Sequence, residues 1–246
     1  VIAPAPAIDL EGVSRVHASG ASRFLLTIER LSVARGAAVA LTGPSGSGKS
    51  TTLDLLALAL RPDAAVRFVL RPRDGATIDI AAAWAASALD RLTALRAAHI
   101  GYVLQQGGLL PFLTLRQSIA LAQRLAGRED PAYGAQLGAR LGIADLMDRK
   151  PATLSVGQRQ RAAIARALAH RPEILLADEP TASVHPSLAD EILALLAAQA
   201  RDADAALVLA THDPDRAARH GLAIVAARLA EDGSAGSRFI HPTAAP

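Results

Sequence analysis

An α/β fold is predicted by three features of the 246-residue chain. Strand-like and helix-like patterns alternate along it. Two short runs, 174–177 and 205–210, are wholly apolar, with no polar alternation. Such runs suit strands of a parallel sheet covered on both faces. A glycine-rich loop, GPSGSGKS at 43–50, lies between a short apolar run and a helical pattern. Strand, loop and helix in that order build a parallel α/β unit.

Residues 7–13 and 24–33 alternate loosely and read as short strands, and 37–42 is an apolar strand running into the glycine-rich loop. A helix over 49–60 carries Leu53, Leu56 and Leu60 on one side, and Arg61-Pro62-Asp63 ends it. Strands are expected at 66–70 and 77–80, a helix over 84–98 and a strand at 99–104. Residues 107–165 read as an inserted helical part, broken near 127–131 by Gly127 and Pro131. A further helix covers 158–170.

Hydrophobic residues make up 51% of the chain but aromatics only 3%, so the core is built from Leu, Val, Ile and Ala. There is no cysteine, which excludes disulfides and thiolate metal sites. A net charge of +3 is ordinary surface charge, and no nucleic-acid partner is expected. No apolar run approaches the roughly 20 residues of a membrane span, so work at a membrane would pass through a partner. The amino end, VIAPAPAIDLEG, lacks the basic region of a secretory signal. It begins with Val1, so the natural start is expected upstream, and with little sequence after residue 230 no sizeable regulatory domain is expected.

The loop matches the phosphate-binding pattern, with Gly43, Gly48, Lys49 and Ser50 at its defining places. The glycines of the run Gly43, Pro44, Ser45, Gly46, Ser47 and Gly48 let the backbone curl so that its N–H groups face phosphate oxygens. The helix beginning at Lys49-Ser50-Thr51 adds its positive end. Lys49 brings a point charge to the phosphates, and Ser50 offers a hydroxyl to Mg²⁺, a hard cation that prefers oxygen. The loop alone does not separate ATPase from GTPase or kinase. Residues 173–180 read EILLADEP, so an apolar strand delivers Asp178 and Glu179 at its carboxyl end, where open α/β sheets bind ligands. Asp178 suits the metal and Glu179 suits an attacking water.

From residue 8 to about 230 the chain resembles the ABC-transporter ATPase family. The most specific element is LSVGQ at 154–158, followed by RQRAAIARAL, which is similar to the family signature LSGGQ and its helix. The resemblance implies a P-loop NTPase core with a mainly parallel sheet (8–106 and 166–230), an antiparallel β subdomain, an inserted α-helical subdomain (107–165) and a short tail (231–246). It implies ATP and Mg²⁺ as ligands, with Ser155, Gly157 and Gln158 facing the γ-phosphate of a nucleotide on a second copy. Gln105 matches the family's Q-loop glutamine, near metal and water, with Gln106 the second choice. His212 in LATHD matches the switch histidine on the γ-phosphate. His17, in VSRVH, stands where the family stacks an aromatic on adenine, with Phe24 an alternative.

Two further departures fall on the presumed dimer surface. Val156 replaces a glycine of the signature, and a stiff β-branched residue resists positive φ. His185 in ASVHP replaces an aspartate. The partners implied are a second identical ATPase subunit and a transmembrane permease, placing the chain peripherally on the cytoplasmic face of the inner membrane. The LADEPTA string resembles the branch serving lipoprotein, lipid and macrolide export or cell division. Two alternatives stand beside this: a non-transport ABC ATPase acting on nucleic acid or ribosomes, and a nucleotide-binding module with impaired hydrolysis. Arg159, Arg161 and Arg166 read as a solvated helix face with its ion pairs, and Trp84 and Met147 as packing residues.

Overall fold

The computed structural model describes residues 5–19, 22–105, 107–182, 184–230 and 235–241. Strands β1 (Ile8–Ser19) and β2 (Ser22–Val33) form a long antiparallel pair. β3 (Ala38–Thr42) leads through the phosphate loop into α1 (Lys49–Leu56). α1 stops four residues short of the expected end, because Leu58 takes a φ of 55°. β4 (Arg67–Leu70) and β5 (Ile78–Asp79) extend the antiparallel side. The helix expected over 84–98 is two helices, α2 (Ile80–Ala85) and α3 (Leu89–His99). Asp79 caps the first, accepting from the Ala82 amide, and Ser87 at φ 52° breaks the chain between them.

β6 (Ile100–Val103) precedes α4 (Leu115–Leu125) and α5 (Pro131–Arg140). Thr114 and Gln117 close a capping box on α4, and Asp130 caps α5. α6 (Val156–Leu168) is followed by β7 (Ile174–Asp178), α7 (Pro186–Asp202), β8 (Ala206–Thr211), α8 (Pro214–Arg219), β9 (Ala223–Leu229) and β10 (Gly236–Ile240). The stretch expected as a short tail therefore contributes a strand.

The strands form one sheet in the order β5-β4-β1-β2-β10-β9-β3-β8-β7-β6. The run β9-β3-β8-β7-β6 is parallel throughout. β10 joins it to the antiparallel side, pairing parallel with β2 and antiparallel with β9. The unbroken apolar runs are explained by two cores. Ile174, Leu176, Ala206, Val208 and Ala210 face one, with α1 to α3. Leu175, Ala177, Leu207 and Leu209 face the other, with α4 to α7. Trp84 and Met147 are buried packing residues. Arg161 pairs with Glu191 at 2.9 Å, as a surface arginine would. Arg166 does not lie on a solvated face: its guanidinium donates to the carbonyls of Tyr102 (2.5 Å) and Gly108 (2.8 Å), riveting α6 to the segment after β6.

Two buried ionisable groups lie at the amino ends of the parallel strands. Glu173 is 3% exposed and pairs with Arg35 at 2.7 Å, Arg73 at 3.1 Å and His99 at 3.8 Å. Burial alone would raise its carboxyl, but nearby His99, the hydrogen bond from Arg35 and the charge of Arg73 outweigh it and hold the value at about 2. His170, 5% exposed, is pushed down to about 4, chiefly by burial. Both folded values lie below the unfolded ones, so both contributions are present at neutral pH and lost on acidification. His170 acts first, between pH 6.5 and 4, and Glu173 below about 4.5. Moving from pH 7.5 to pH 5 removes about 2 kcal/mol through His170. Urea melts at the two pH values check this. A His170→Asn variant loses less stability across that interval than the wild type, whatever its starting stability; an equal loss in both would contradict the assignment.

Candidate nucleotide site

The site lies at the carboxyl ends of β3, β7 and β8. α1 starts from Gly48, which is left-handed (φ 85°) and supplies no side-chain cap, so the first amides of the helix are left for a ligand. Its φ favours glycine, and a Cβ there would lie 2.9 Å from Leu26 Cδ1 of β2, which would have to shift. Lys49 is 5% exposed, and its Nζ donates to the carbonyls of Gly43 (2.8 Å) and Pro44 (3.0 Å). Ser50 Oγ donates to Asp178 Oδ1 at 3.1 Å. Glu179 lies between two basic side chains, 3.9 Å from Lys49 Nζ and 3.7 Å from His212 Nδ1. Its backbone is in the left-handed region (φ 41°), costly for a non-glycine residue and held by its amide donating to Ala210 O at 3.1 Å.

An open cleft of about 550 Å³ gathers most of the expected residues. Ser45, Gly46 and Gly48 to Thr51 line it, together with His17, Gln105 and Glu179. Phe24 lines it too, and is the residue opposite His17 across the β1–β2 pair. His17 Nε2 is 3.1 Å from Thr51 Oγ1. Ser47 lies beneath the loop, 1% exposed. Gln106 falls outside the described residues. His212 is exposed at the cleft mouth.

Ser155, Gly157 and Gln158 are not brought to this cleft. They form the start of α6, where Ser155 Oγ accepts from the Gln158 amide at 3.3 Å and Gln158 Oε1 accepts from the Ser155 amide at 2.9 Å. A second cleft of about 240 Å³ separates that helix start from Gln105 and Glu179. A Cβ on Gly157 would lie 2.7 Å from Leu188 Cδ2, so this glycine also serves α6–α7 packing within the chain.

The conformational objection to Val156 does not apply. It is the first residue of α6, in helical conformation, and is absent from the positive-φ residues among those described. Its side chain is surface-exposed. His185 is the N-cap of α7, its Nδ1 accepting from the Ser187 amide at 3.4 Å. It therefore fills the local hydrogen-bonding task an aspartate would fill.

Asp54 and Tyr102 belong to the neighbourhood and were not anticipated. Asp54 is one turn beyond Ser50 on α1, and Tyr102 Oη donates to its Oδ1 at 3.3 Å. That i,i+4 spacing from a metal-type serine is the signal available in the sequence. The Asp178 carboxyl is raised by burial, opposed by the Ser50 hydrogen bond, and raised further by the charges of Glu179 and Asp54. Three carboxylates thus concentrate negative charge beside a phosphate loop, an arrangement that favours a bound cation.

A parallel sheet with a phosphate loop after one strand and an acidic pair after another defines a P-loop NTPase. The chain belongs to the ABC transporter family, whose sequence profile matches residues 26–182. It is 38% identical over 220 residues to the lipoprotein-releasing system ATP-binding protein LolD 1 of Rhodospirillum rubrum, covering 88% of this chain and 93% of that protein. It is 34% identical over 241 residues to the macrolide export ATP-binding/permease protein MacB of Marinobacter nauticus, covering 95% of this chain and 36% of that protein. The fold is similar to the dimeric structure of the bacterial ABC transporter cassette MJ0796, with a TM-score of 0.73 and 30% identity, covering 89% and 93% of the two chains. It is equally similar to a post-hydrolysis state of that cassette bound to ADP and Pi, with a TM-score of 0.74. The chain is accordingly an ATP-binding subunit whose ATP hydrolysis is coupled to transport.

Proposed function

We propose that two copies of this chain close over two ATP molecules and so drive a separate transmembrane permease. The convergence of Lys49, Ser50, Asp178, Glu179 and His212 at one cleft mouth carries this reading. ATP phosphates take the place of the Gly43 and Pro44 carbonyls on Lys49. His17 and Phe24 offer flat faces for adenine. Glu179 orients water, and Lys49 and His212 stabilise charge developing on the γ-phosphate.

The residues fit Mg²⁺. Ser50 Oγ and Asp178 Oδ1 are 3.1 Å apart, close to the about 2.9 Å between neighbouring ligands in an octahedron of Mg²⁺–oxygen bonds. Gln105 supplies a third oxygen from the same cleft. When bound, the ion neutralises phosphate charge. Among the described residues no cluster of three His, Cys, Asp or Glu could hold a metal alone, in keeping with an ion held by one carboxylate, a hydroxyl and the substrate's phosphates.

Dimerisation is supported by the position of Ser155, Gly157 and Gln158. They lie away from the chain's own phosphate loop, at a helix start suited to a phosphate presented by another copy. The permease is supported by an apolar groove of about 250 Å³ between α3, β6, α4 and α6, lined by Ile100, Leu110, Leu121 and Leu125. Exposed Phe112 and Leu104 lie on the neighbouring segments, and patches of this kind mark binding sites. No helix among the described residues is long and apolar enough to cross a membrane. With a permease as its partner, the chain would sit peripherally on the cytoplasmic face of the inner membrane.

The test is twofold. Purified chain is assayed for Mg²⁺-dependent phosphate release from ATP, and tagged chain is recovered from detergent-solubilised membranes. ATP turnover with co-recovery of a multi-span membrane protein is expected. Recovery with ribosomes and without any membrane protein would overturn the permease reading.

A further inference from the structure

β10 passes directly beneath the phosphate loop. Ser237, its second residue, is 2% exposed, and its Oγ donates to the backbone carbonyl of Ser47 at 2.6 Å. Ser47 is itself 1% exposed, so this carbonyl has no access to bulk water as an alternative donor. Ser237 pairs with Leu26 of β2, the residue whose side chain occupies the space a Cβ on Gly48 would need. β2 and β10 therefore support the same two loop residues, one by packing and the other by a hydrogen bond.

A trans peptide is planar, and its C=O and N–H point in opposite directions. No cis peptide occurs among the described residues. Holding Ser47 O down onto β10 therefore turns the Gly48 N–H up, into the cleft that Gly46, Gly48 and Lys49 line. That amide has no backbone acceptor among the described residues. Without the tether, the glycines on either side of Ser47, Gly46 and Gly48, let the Ser47–Gly48 peptide rotate, and the amide is delivered to phosphate only part of the time.

We infer that Ser237 is a positioning residue for the phosphate loop, acting through Ser47 to fix the Gly48 amide for nucleotide phosphates. This rests on the reading of the cleft as the ATP site and adds a residue 190 positions away from the loop. The hydroxyl touches no substrate. Its effect is selective for the phosphate end of the ligand, because the adenine end is met by different elements.

The test is the Ser237→Ala variant of the full chain, titrated with ATP, ADP and adenosine by calorimetry and ligand-observed NMR. ATP and ADP are expected to bind about 5- to 10-fold more weakly, the effect of one buried hydrogen bond. Adenosine, which lacks phosphate, is expected to bind as to the wild type. The Gly48 amide resonance of the nucleotide-free protein is expected to shift, while that of Ala218 in α8 stays. Equal weakening for all three ligands would make Ser237 a packing residue and overturn the inference, as would unchanged ATP affinity. A wild-type chain that binds no ATP would instead overturn the reading of the cleft itself, and the inference with it.

Discussion

Replacing Glu179 by Gln lowers steady-state ATP turnover by about 10²- to 10⁴-fold, the contribution of a positioned general base, while ATP still binds. The amide keeps the size and shape of the carboxylate, so the constrained backbone at φ 41° and its hydrogen bond to Ala210 O persist. What is lost is the negative charge between Lys49 and His212. The same charge raises the Asp178 carboxyl, so its removal lowers the Asp178 value and leaves the Ser50–Asp178 hydrogen bond intact. Turnover by phosphate release and affinity by nucleotide titration separate the two effects. Turnover within about threefold of wild type would remove Glu179 from the chemistry, and a parallel collapse of ATP binding would make it a binding residue.

Replacing Gly101 by Ala destabilises the fold by about 3 kcal/mol, at the upper end for an overpacked core. A methyl group there would lie 2.1 Å from the backbone oxygen of Ala167 and 3.1 Å from Pro172 Cγ. Backbone cannot rotate out of the way, so β6 and α6 must part. The Arg166 hydrogen bonds to Tyr102 and Gly108 span the same seam and are strained with it. Gly157→Ala is the control. Its methyl would meet only the end of the Leu188 side chain, which can turn aside, so the cost is smaller. Urea melts of the two variants decide: a Gly101→Ala midpoint equal to that of Gly157→Ala would show that the seam yields.

Much of the site was legible because its chemistry needs particular residue types in local strings. GPSGSGKS, the Asp178–Glu179 pair and the helix start at Ser155 each lie within about eight residues, and the parallel strands declare themselves by unbroken apolar runs. The rest was hidden by distance or by conformation. Gly101 looks unremarkable until α6 is laid against it. β10 has one deeply buried apolar side chain, Phe239, so its composition does not announce a strand. Val156 is judged wrongly from its branching alone, because the objection presumes a positive φ that the first turn of a helix does not have. α7 is the opposite case. Ala189, Ile192, Leu193, Leu196 and Ala200 recur at helical spacing, yet the helix was not among those expected.

The placement of β10 between β2 and β9 bears on biosynthesis. Leu26 leaves the ribosome long before its partner Ser237, roughly 10–40 s earlier at ordinary elongation rates. Until Gly236–Ile240 arrive, β2 and β9 each present an unpaired edge, and the phosphate loop lacks its floor. The nascent chain therefore cannot complete its nucleotide pocket as it emerges. Maturation waits on a late insertion into the middle of the sheet, which makes the incomplete sheet a natural client for chaperones that shield strand edges.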